Sequence, residues 1–230
     1  MLGLPRYKPA SGTMRVLAAL LAYPDREMRG YLGEMRVVLR GEHVLSAERR
    51  QEIDALIDSL AAADSLEAEA GYVELFDRGR ATSLHLFEHV HGDSRDRGPA
   101  MIDLAQTYEK AGLYLAEGEL PDYLPAVLEF VSTQPAAEAR AFLGEMSHIF
   151  NSLFNALQGR ASPYASVLGA LLELAGEKAQ PVKIAAEQPL DESWIEPRVF
   201  DGCSSQGQER PGQPQPIHLV RKHAKTGVVA

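Results

Sequence analysis

Pro135-Ala136-Ala137-Glu138-Ala139-Arg140-Ala141-Phe142-Leu143-Gly144-Glu145-Met146-Ser147-His148-Ile149-Phe150-Asn151-Ser152-Leu153-Phe154-Asn155-Ala156-Leu157-Gln158-Gly159 is the stretch on which the fold class turns. Phe142, Met146, Ile149, Leu153 and Leu157 recur at helical spacing and share one face of a 3.6-residue repeat. Pro135 opens this helix, the longest in the chain, and Gly159 closes it. Directly downstream, Ser162 offers an N-cap and Pro163 stands at the first helical position. A further helix then carries Val167, Leu168, Leu171 and Leu174 and stops at Gly176.

Working upstream, the same period recurs. Met28, Tyr31, Leu32, Met35, Val38 and Leu39 define a helix opened by Pro24 and Asp25. Ile53, Leu56, Ile57 and Leu60 form another after Ser46, and Asp64 with Glu67 resembles a capping box for a helix running through Tyr72, Leu75 and Phe76. Arg78-Gly79-Arg80 interrupts the pattern, and Leu84, Phe87 and Val90 form a short stripe closed by Gly92. A polar loop leads to a helix expected from Met101 to Glu117, with Gly118 as its stop, and Pro121-Asp122 opens the next, which turns Leu124, Val127, Leu128 and Val131 inward. No stretch alternates apolar and polar residues long enough for a strand, and no solenoid repeat is present. The expected fold class is all-α, a single helical bundle spanning 1–176.

Composition changes after Gly176. Residues 177–230 hold Pro181, Pro189, Pro197, Pro211, Pro214 and Pro216, and Ser204 to Gln215 is poor in apolar residues. Such a segment buries too little surface to offset its ordering entropy, so a mostly disordered, flexible C-terminal tail is expected. Trp194, Ile195, Val199 and Phe200 form one apolar island in it.

The 230 residues carry a formal net charge of -9 and are 45% hydrophobic, the profile of an ordinary globular chain. Net negative charge disfavours nucleic acid, whose phosphates need cations, and suits a basic peptide partner. Lone Cys203 cannot close an internal disulfide. Met1 to Pro9 shows no apolar signal-peptide core, and Val16 to Tyr23 falls short of the ~20 apolar residues of a membrane helix. The expectation is a cytoplasmic protein, monomer or weak dimer, that inserts in no membrane itself.

One enzymatic signal stands out. His85-Leu86-Phe87-Glu88-His89 matches H-x-x-E-H, the inverted zincin motif. On a helix His85 and His89 would share a face and chelate zinc, with Glu88 as general base. A catalytic site also needs a third protein ligand; His91 is too near, and nothing downstream supplies one. No phosphate-binding glycine loop, nucleophile elbow or C-x-x-C pair is present. The expectation is therefore no catalytic residue, no metal and no enzyme. The run from Tyr72 to Tyr108 nonetheless concentrates aromatics, His, Arg and Asp. Read by physics alone it is either a buried polar network, in which Arg78, Arg80, Arg95 and Arg97 pair with Asp77, Glu88, Asp93 and Asp96, or a partner-binding surface.

That run carries a family resemblance. Tyr72-Val73-Glu74-Leu75-Phe76-Asp77-Arg78-Gly79-Arg80 and Ser83-Leu84-His85-Leu86-Phe87-Glu88-His89-Val90-His91-Gly92-Asp93-Ser94-Arg95-Asp96-Arg97-Gly98 resemble the signature of the NarJ-type molybdenum cofactor assembly chaperones (delta subunit) of respiratory nitrate reductase. The likeness continues through Met101-Ile102-Asp103-Leu104, Tyr108, Gly112, Glu119-Leu120-Pro121-Asp122-Tyr123-Leu124-Pro125 and Leu128-Glu129-Phe130, and spans Met14 to Gly176. This group is similar to the wider redox-enzyme maturation chaperones, which often carry Pro-Asp-His where this chain has Pro121-Asp122-Tyr123; the departure favours the NarJ branch.

The resemblance implies an all-α chaperone that binds the N-terminal segment of the apo catalytic (alpha) subunit of membrane-bound nitrate reductase. It would hold that client for molybdenum cofactor insertion before membrane assembly and keep no cofactor permanently. The alternatives are a maturation chaperone for a dimethyl sulfoxide or trimethylamine oxide reductase and, remotely, a zinc hydrolase. The client-binding face expected comprises Tyr72, Phe76, Asp77, Arg78, Arg80, Leu84, His85, Phe87, Glu88, His89, His91, Asp93, Arg95, Arg97, Met101, Tyr108, Pro121, Asp122 and Tyr123. Leu84, Phe87 and Met101 would give apolar walls for a client helix, and Asp77, Glu88, Asp93 and Asp122 would meet its basic residues.

Overall fold

A computed structural model of the chain describes residues 9–92 and 94–182. Among them eleven α-helices follow in order: α1 (Ser11–Leu21), α2 (Arg26–Gly30), α3 (Leu32–Glu42), α4 (Ala47–Ala62), α5 (Ser65–Phe76), α6 (Leu86–Val90), α7 (Arg97–Lys110), α8 (Leu124–Ser132), α9 (Ala136–Glu145), α10 (Ser147–Gly159) and α11 (Ala165–Ala175). A 3₁₀ turn, Arg80–Thr82, lies between α5 and α6. The all-α reading is borne out.

The caps explain why the helices start where they do. Asp25 accepts from the Met28 N–H at 2.8 Å, Ser46 from the Arg49 N–H at 3.2 Å and Asp64 from the Leu66 N–H at 3.0 Å. Each satisfies a donor that the first turn leaves unpaired. Gly176 ends α11 in the left-handed region at φ 85°, where a residue without Cβ is unstrained.

α11 is the centre of the bundle. It packs on α10, α9, α4 and α1, while α1 also packs on α8 and α3. Val167, Leu168, Ala170 and Leu171 are wholly buried, and so are Leu17, Leu20 and Leu21 of α1 and Val127, Leu128 and Val131 of α8. A helix covered on several sides must be apolar around most of its circumference, which the Ala165–Ala175 sequence is.

Several boundaries differ from the sequence reading. The helix expected from Asp25 through Leu39 is two, α2 and α3, jointed at Tyr31. The long helix from Pro135 to Gly159 breaks at Met146, whose φ −90° and ψ 0° lie off the helical values. Both halves keep their apolar face, because α9 and α10 each rest on α11 from a different side of the joint; periodicity alone passes through such a joint unaltered.

α7 begins at Arg97 and ends at Lys110, not at Glu117. Pro99 sits in its first turn, where no N–H is needed. Gly112 at φ 79° turns the chain away, with the Leu113 N–H returning to the Tyr108 carbonyl at 2.9 Å. Pro121 and Asp122 do not open α8, which starts at Leu124; Tyr123 pairs instead with His85 in an isolated antiparallel bridge. Ser162 and Pro163 form the turn before α11 rather than its first residues.

The described chain continues past Gly176 to Val182 and is tied to α10. Asn151 and Asn155 donate to the Gln180 carbonyl at 3.0 and 2.9 Å, and Asn151 accepts from the Gln180 N–H at 2.8 Å. The rest of the expected tail, with Trp194, Ile195, Val199, Phe200 and Cys203, lies outside the described residues, as do Met1 to Lys8. No helix among the described residues is long and apolar enough to cross a membrane.

Candidate functional site

The Tyr72–Tyr108 run folds around one carboxylate. Asp122 is fully buried. Its Oδ2 accepts from the Phe87 N–H at 3.1 Å, which caps the start of α6 from a distant part of the chain. Its Oδ1 accepts from His85 Nδ1 at 3.3 Å. The Arg97 guanidinium, at the start of α7, lies 3.9 Å from Asp122 Oδ2 and 3.6 Å from Glu88 Oε1. The Asp122 carbonyl accepts from the Leu86 N–H at 3.0 Å, and the Leu84 carbonyl from the Leu124 N–H at 2.9 Å. One buried anion thus holds α6, the start of α7 and the Leu120–Tyr123 turn together, and its own charge is met by donors and a cation as burial requires.

Hydroxyls extend the network. Tyr72 donates to the Leu21 carbonyl at 2.7 Å, and Tyr123 donates to Tyr72 across 3.0 Å. Tyr108 donates to the Pro121 carbonyl at 2.8 Å, and Thr82 donates to the Leu75 carbonyl. Burial pushes the phenols of Tyr72, Tyr108, Tyr123 and Tyr164 upward, so all stay protonated and the first three donate as described. Tyr72 also packs on Phe76, and both rings meet Tyr164.

The zincin reading fails on geometry. His85 is extended at φ −86°, ψ 105° and stands before α6 rather than on it. Its Nδ1 is engaged by Asp122, and His89 Nε2 donates to the Ser83 carbonyl at 2.8 Å. The two rings therefore do not lie one turn apart on a common helical face, as the motif demands. The hydrogen bond to Asp122 raises the His85 pKa, Asp122 and Glu88 charges add to it, and burial and Arg97 oppose it.

Burial divides the residues singled out from sequence. Tyr72, Phe76, Leu84, Tyr108, Pro121 and Asp122 are buried. The structure sets these six beneath the surface, and Asp122 in particular is not the solvent-facing carboxylate expected. His85, Phe87, Glu88, His89, His91, Arg97, Met101 and Tyr123 are half-buried, while Asp77, Arg78, Arg80 and Arg95 are exposed. Asp93 lies outside the described residues. Arg78 pairs with Glu74 at 2.7 Å along α5 rather than with Asp77.

A groove beside this cluster was not legible in the run. It holds about 610 Å³ and lies between α4, α5 and the turn into α11, with Leu60, Ala63, Ala68, Gly71, Leu75 and Pro163 among its walls and Tyr72 and Tyr164 shared with the aromatic cluster. Gly71, a glycine in the interior of α5, lines it, and a Cβ added there would meet nothing within 4 Å, so no close packing marks the position.

An all-α bundle of this kind, with no strand among its described residues, is a fold already seen in a solved redox-enzyme maturation structure. The structure is similar to a crystal structure assigned to redox enzyme maturation from Archaeoglobus fulgidus, with a TM-score of 0.54 at 19% identity over 77% of this chain and 100% of that one. The family model described as nitrate reductase delta subunit matches residues 42–168. The chain belongs to the nitrate reductase delta subunit family. It is 41% identical over 194 residues to the nitrate reductase molybdenum cofactor assembly chaperone NarJ of Escherichia coli K12, covering 80% of this chain and 82% of that one. It is 38% identical over 198 residues to a second protein of that strain, assigned as the assembly chaperone NarW, covering 81% and 82%. These relatives are named as chaperones, and the chain takes its place among them rather than among catalysts.

Proposed function

We propose that this chain is the cytoplasmic chaperone of a respiratory nitrate reductase, binding the N-terminal segment of the apo catalytic subunit and holding it for molybdenum cofactor insertion before membrane assembly. The observation that carries the reading is the 41% identity over 80% of the chain to a nitrate reductase assembly chaperone. The client would meet the face built by Asp77 to Arg97 with Tyr123. Asp122 supports it from beneath through the Phe87 N–H, and contacts fixed before association leave less freedom to be lost in it. Phe87, packed edge-on against His91 at 5.3 Å, and Met101 offer apolar contact. Asp77 is exposed at its rim and would steer basic client residues.

The test is calorimetric titration of a synthetic peptide of the client's N-terminal segment into the full chain at low and high salt. Wild type should bind. Asp77→Asn should weaken binding roughly two- to fivefold at low salt and have less effect at high salt, as exposed charges do. Phe87→Leu should weaken it further by loss of aromatic area, once circular dichroism has shown the fold intact. A wild-type chain that does not bind the peptide under either condition would end the reading.

A further inference from the structure

We infer that Asn151 and Asn155 form a latch that reads extended backbone, and that the strap it holds, residues 178–182, opens and closes apart from the helical bundle. The inference goes beyond the client reading and does not rest on it. α11 ends at Gly176, and the chain then returns across the surface of α10. There one residue of the strap is gripped by both its backbone groups. Gln180 donates its N–H to Asn151 Oδ1 at 2.8 Å, and its carbonyl accepts from Asn151 Nδ2 at 3.0 Å and Asn155 Nδ2 at 2.9 Å. Val182 donates its N–H to Asn155 Oδ1 at 3.3 Å. The side-chain amides thus take the place that a neighbouring strand's peptide groups hold in a sheet.

Two repeats set the register. Asn151 and Asn155 stand four residues apart on one helical face, a rise of about 6 Å. Two residues of extended chain advance by about 6.6 Å. Alternate N–H groups therefore fall opposite successive asparagines, and the residue between them needs no donor. That residue is Pro181, which has none. A proline also disfavours helical conformation in the residue before it, so Gln180 loses less freedom when the strap closes. Asn155 Nδ2 donates in addition to the Asn151 carbonyl at 2.7 Å, which fixes the orientation of that amide. The hold is nevertheless confined to these bonds. Every residue from Glu177 to Val182 is exposed, so no buried apolar side chain anchors the strap. A few net hydrogen bonds set against the ordering entropy of the strap leave a small balance, whereas Val167, Leu168, Ala170 and Leu171 of α11 are wholly buried. Opening the strap is therefore far easier than unfolding the bundle. Closed, the chain leaves the bundle beside Asn155; open, it leaves at Gly176.

The test is amide hydrogen exchange in the full chain, followed residue by residue by nuclear magnetic resonance. In wild type the Val182 N–H should exchange roughly ten- to a hundredfold more slowly than in an unstructured peptide, and the Leu171 N–H at least about a hundredfold more slowly again. Asn155→Ala should abolish the protection of Val182. Gln180→Pro removes the gripped donor and should abolish it too, whereas Gln180→Ala keeps the backbone and should retain it. The Leu171 N–H should stay slow in all three variants, which shows the bundle intact. A Val182 N–H that exchanges in wild type as fast as in a free peptide, or only as slowly as Leu171, would overturn the separately opening strap. Equal loss of protection in Gln180→Ala and Gln180→Pro would overturn the reading of backbone.

Discussion

Asp122, expected from sequence to meet basic client residues, is instead wholly buried. Its carboxylate, itself wholly buried, accepts from Phe87 N–H and His85 Nδ1 and faces Arg97, while the His85 and Arg97 side chains keep partial contact with water. Removing the acceptor leaves the Phe87 N–H, the imidazole and the guanidinium unmatched. Asp122→Ala should therefore cost about 3 kcal/mol in denaturant unfolding, and Asp122→Asn, which keeps an acceptor oxygen, about 1–2 kcal/mol. Equal stability of both variants with wild type would remove the carboxylate from its structural role. His85 adds a pH signature. Its pKa is raised in the folded chain by the Asp122 hydrogen bond. A raised folded-state pKa contributes stability that is complete below the unfolded value, near pH 6.5, and lost as pH climbs through the folded value above it. The thermal midpoint gap between wild type and His85→Gln should thus shrink from about pH 6 to about pH 8. A gap that widens over that window contradicts the pairing. Sequence placed His85, Asp122 and Arg97 in the right company by resemblance. It could not assign depth, because Asp and Arg are usually solvated and only their partners, far along the chain, make burial tolerable.

Among the elements, α6 has five residues, too few to persist as an isolated helix. Its start is capped by Asp122 from across the fold, so it exists only once Pro121–Tyr123 is in place. By contrast α2, α4 and α5 carry their own cap residues and were legible from Asp25, Ser46 and Asp64. The stop of α11 was legible too. At Gly176 an alanine Cβ would enter the left-handed region and collide with the Arg140 guanidinium, which donates to the Leu174 carbonyl. Gly176→Ala should lower stability by about 1–2 kcal/mol. Thermal unfolding followed at 222 nm checks this, and an unchanged midpoint would mean the chain leaves α11 by another path. The joints at Tyr31 and Met146 were not legible. Gly30 before Tyr31 and Gly144 before Met146 were the only local hints, and an apolar stripe keeps its spacing through a bend.

For the molecule as a whole, α11 ties four helices into one core, so unfolding should be cooperative. Leu171 is wholly buried on it. Leu171→Ala should cost about 2–5 kcal/mol through lost transfer free energy and the cavity left behind. Urea unfolding of the full chain should stay a single helical transition with a lower midpoint. Two separated transitions would show that the bundle is not one cooperative unit. If the chaperone reading holds, the same variant should bind the client peptide with unchanged affinity at temperatures well below its midpoint, because Leu171 lies in neither the face nor the groove.

The amino-acid sequence alone determined the helical class, most caps and stops, and the family, because these rest on spacing of a few residues and on an uninterrupted run of side chains from Tyr72 to Gly98. Tertiary structure alone decided that Asp122 is a buried hub, that His85 stands off the helix its motif requires, and that Gly71 opens onto a groove. Each of these depends on segments tens of residues apart meeting in space. Solvent access and long-range partners are set by packing, and local pattern carries no record of them.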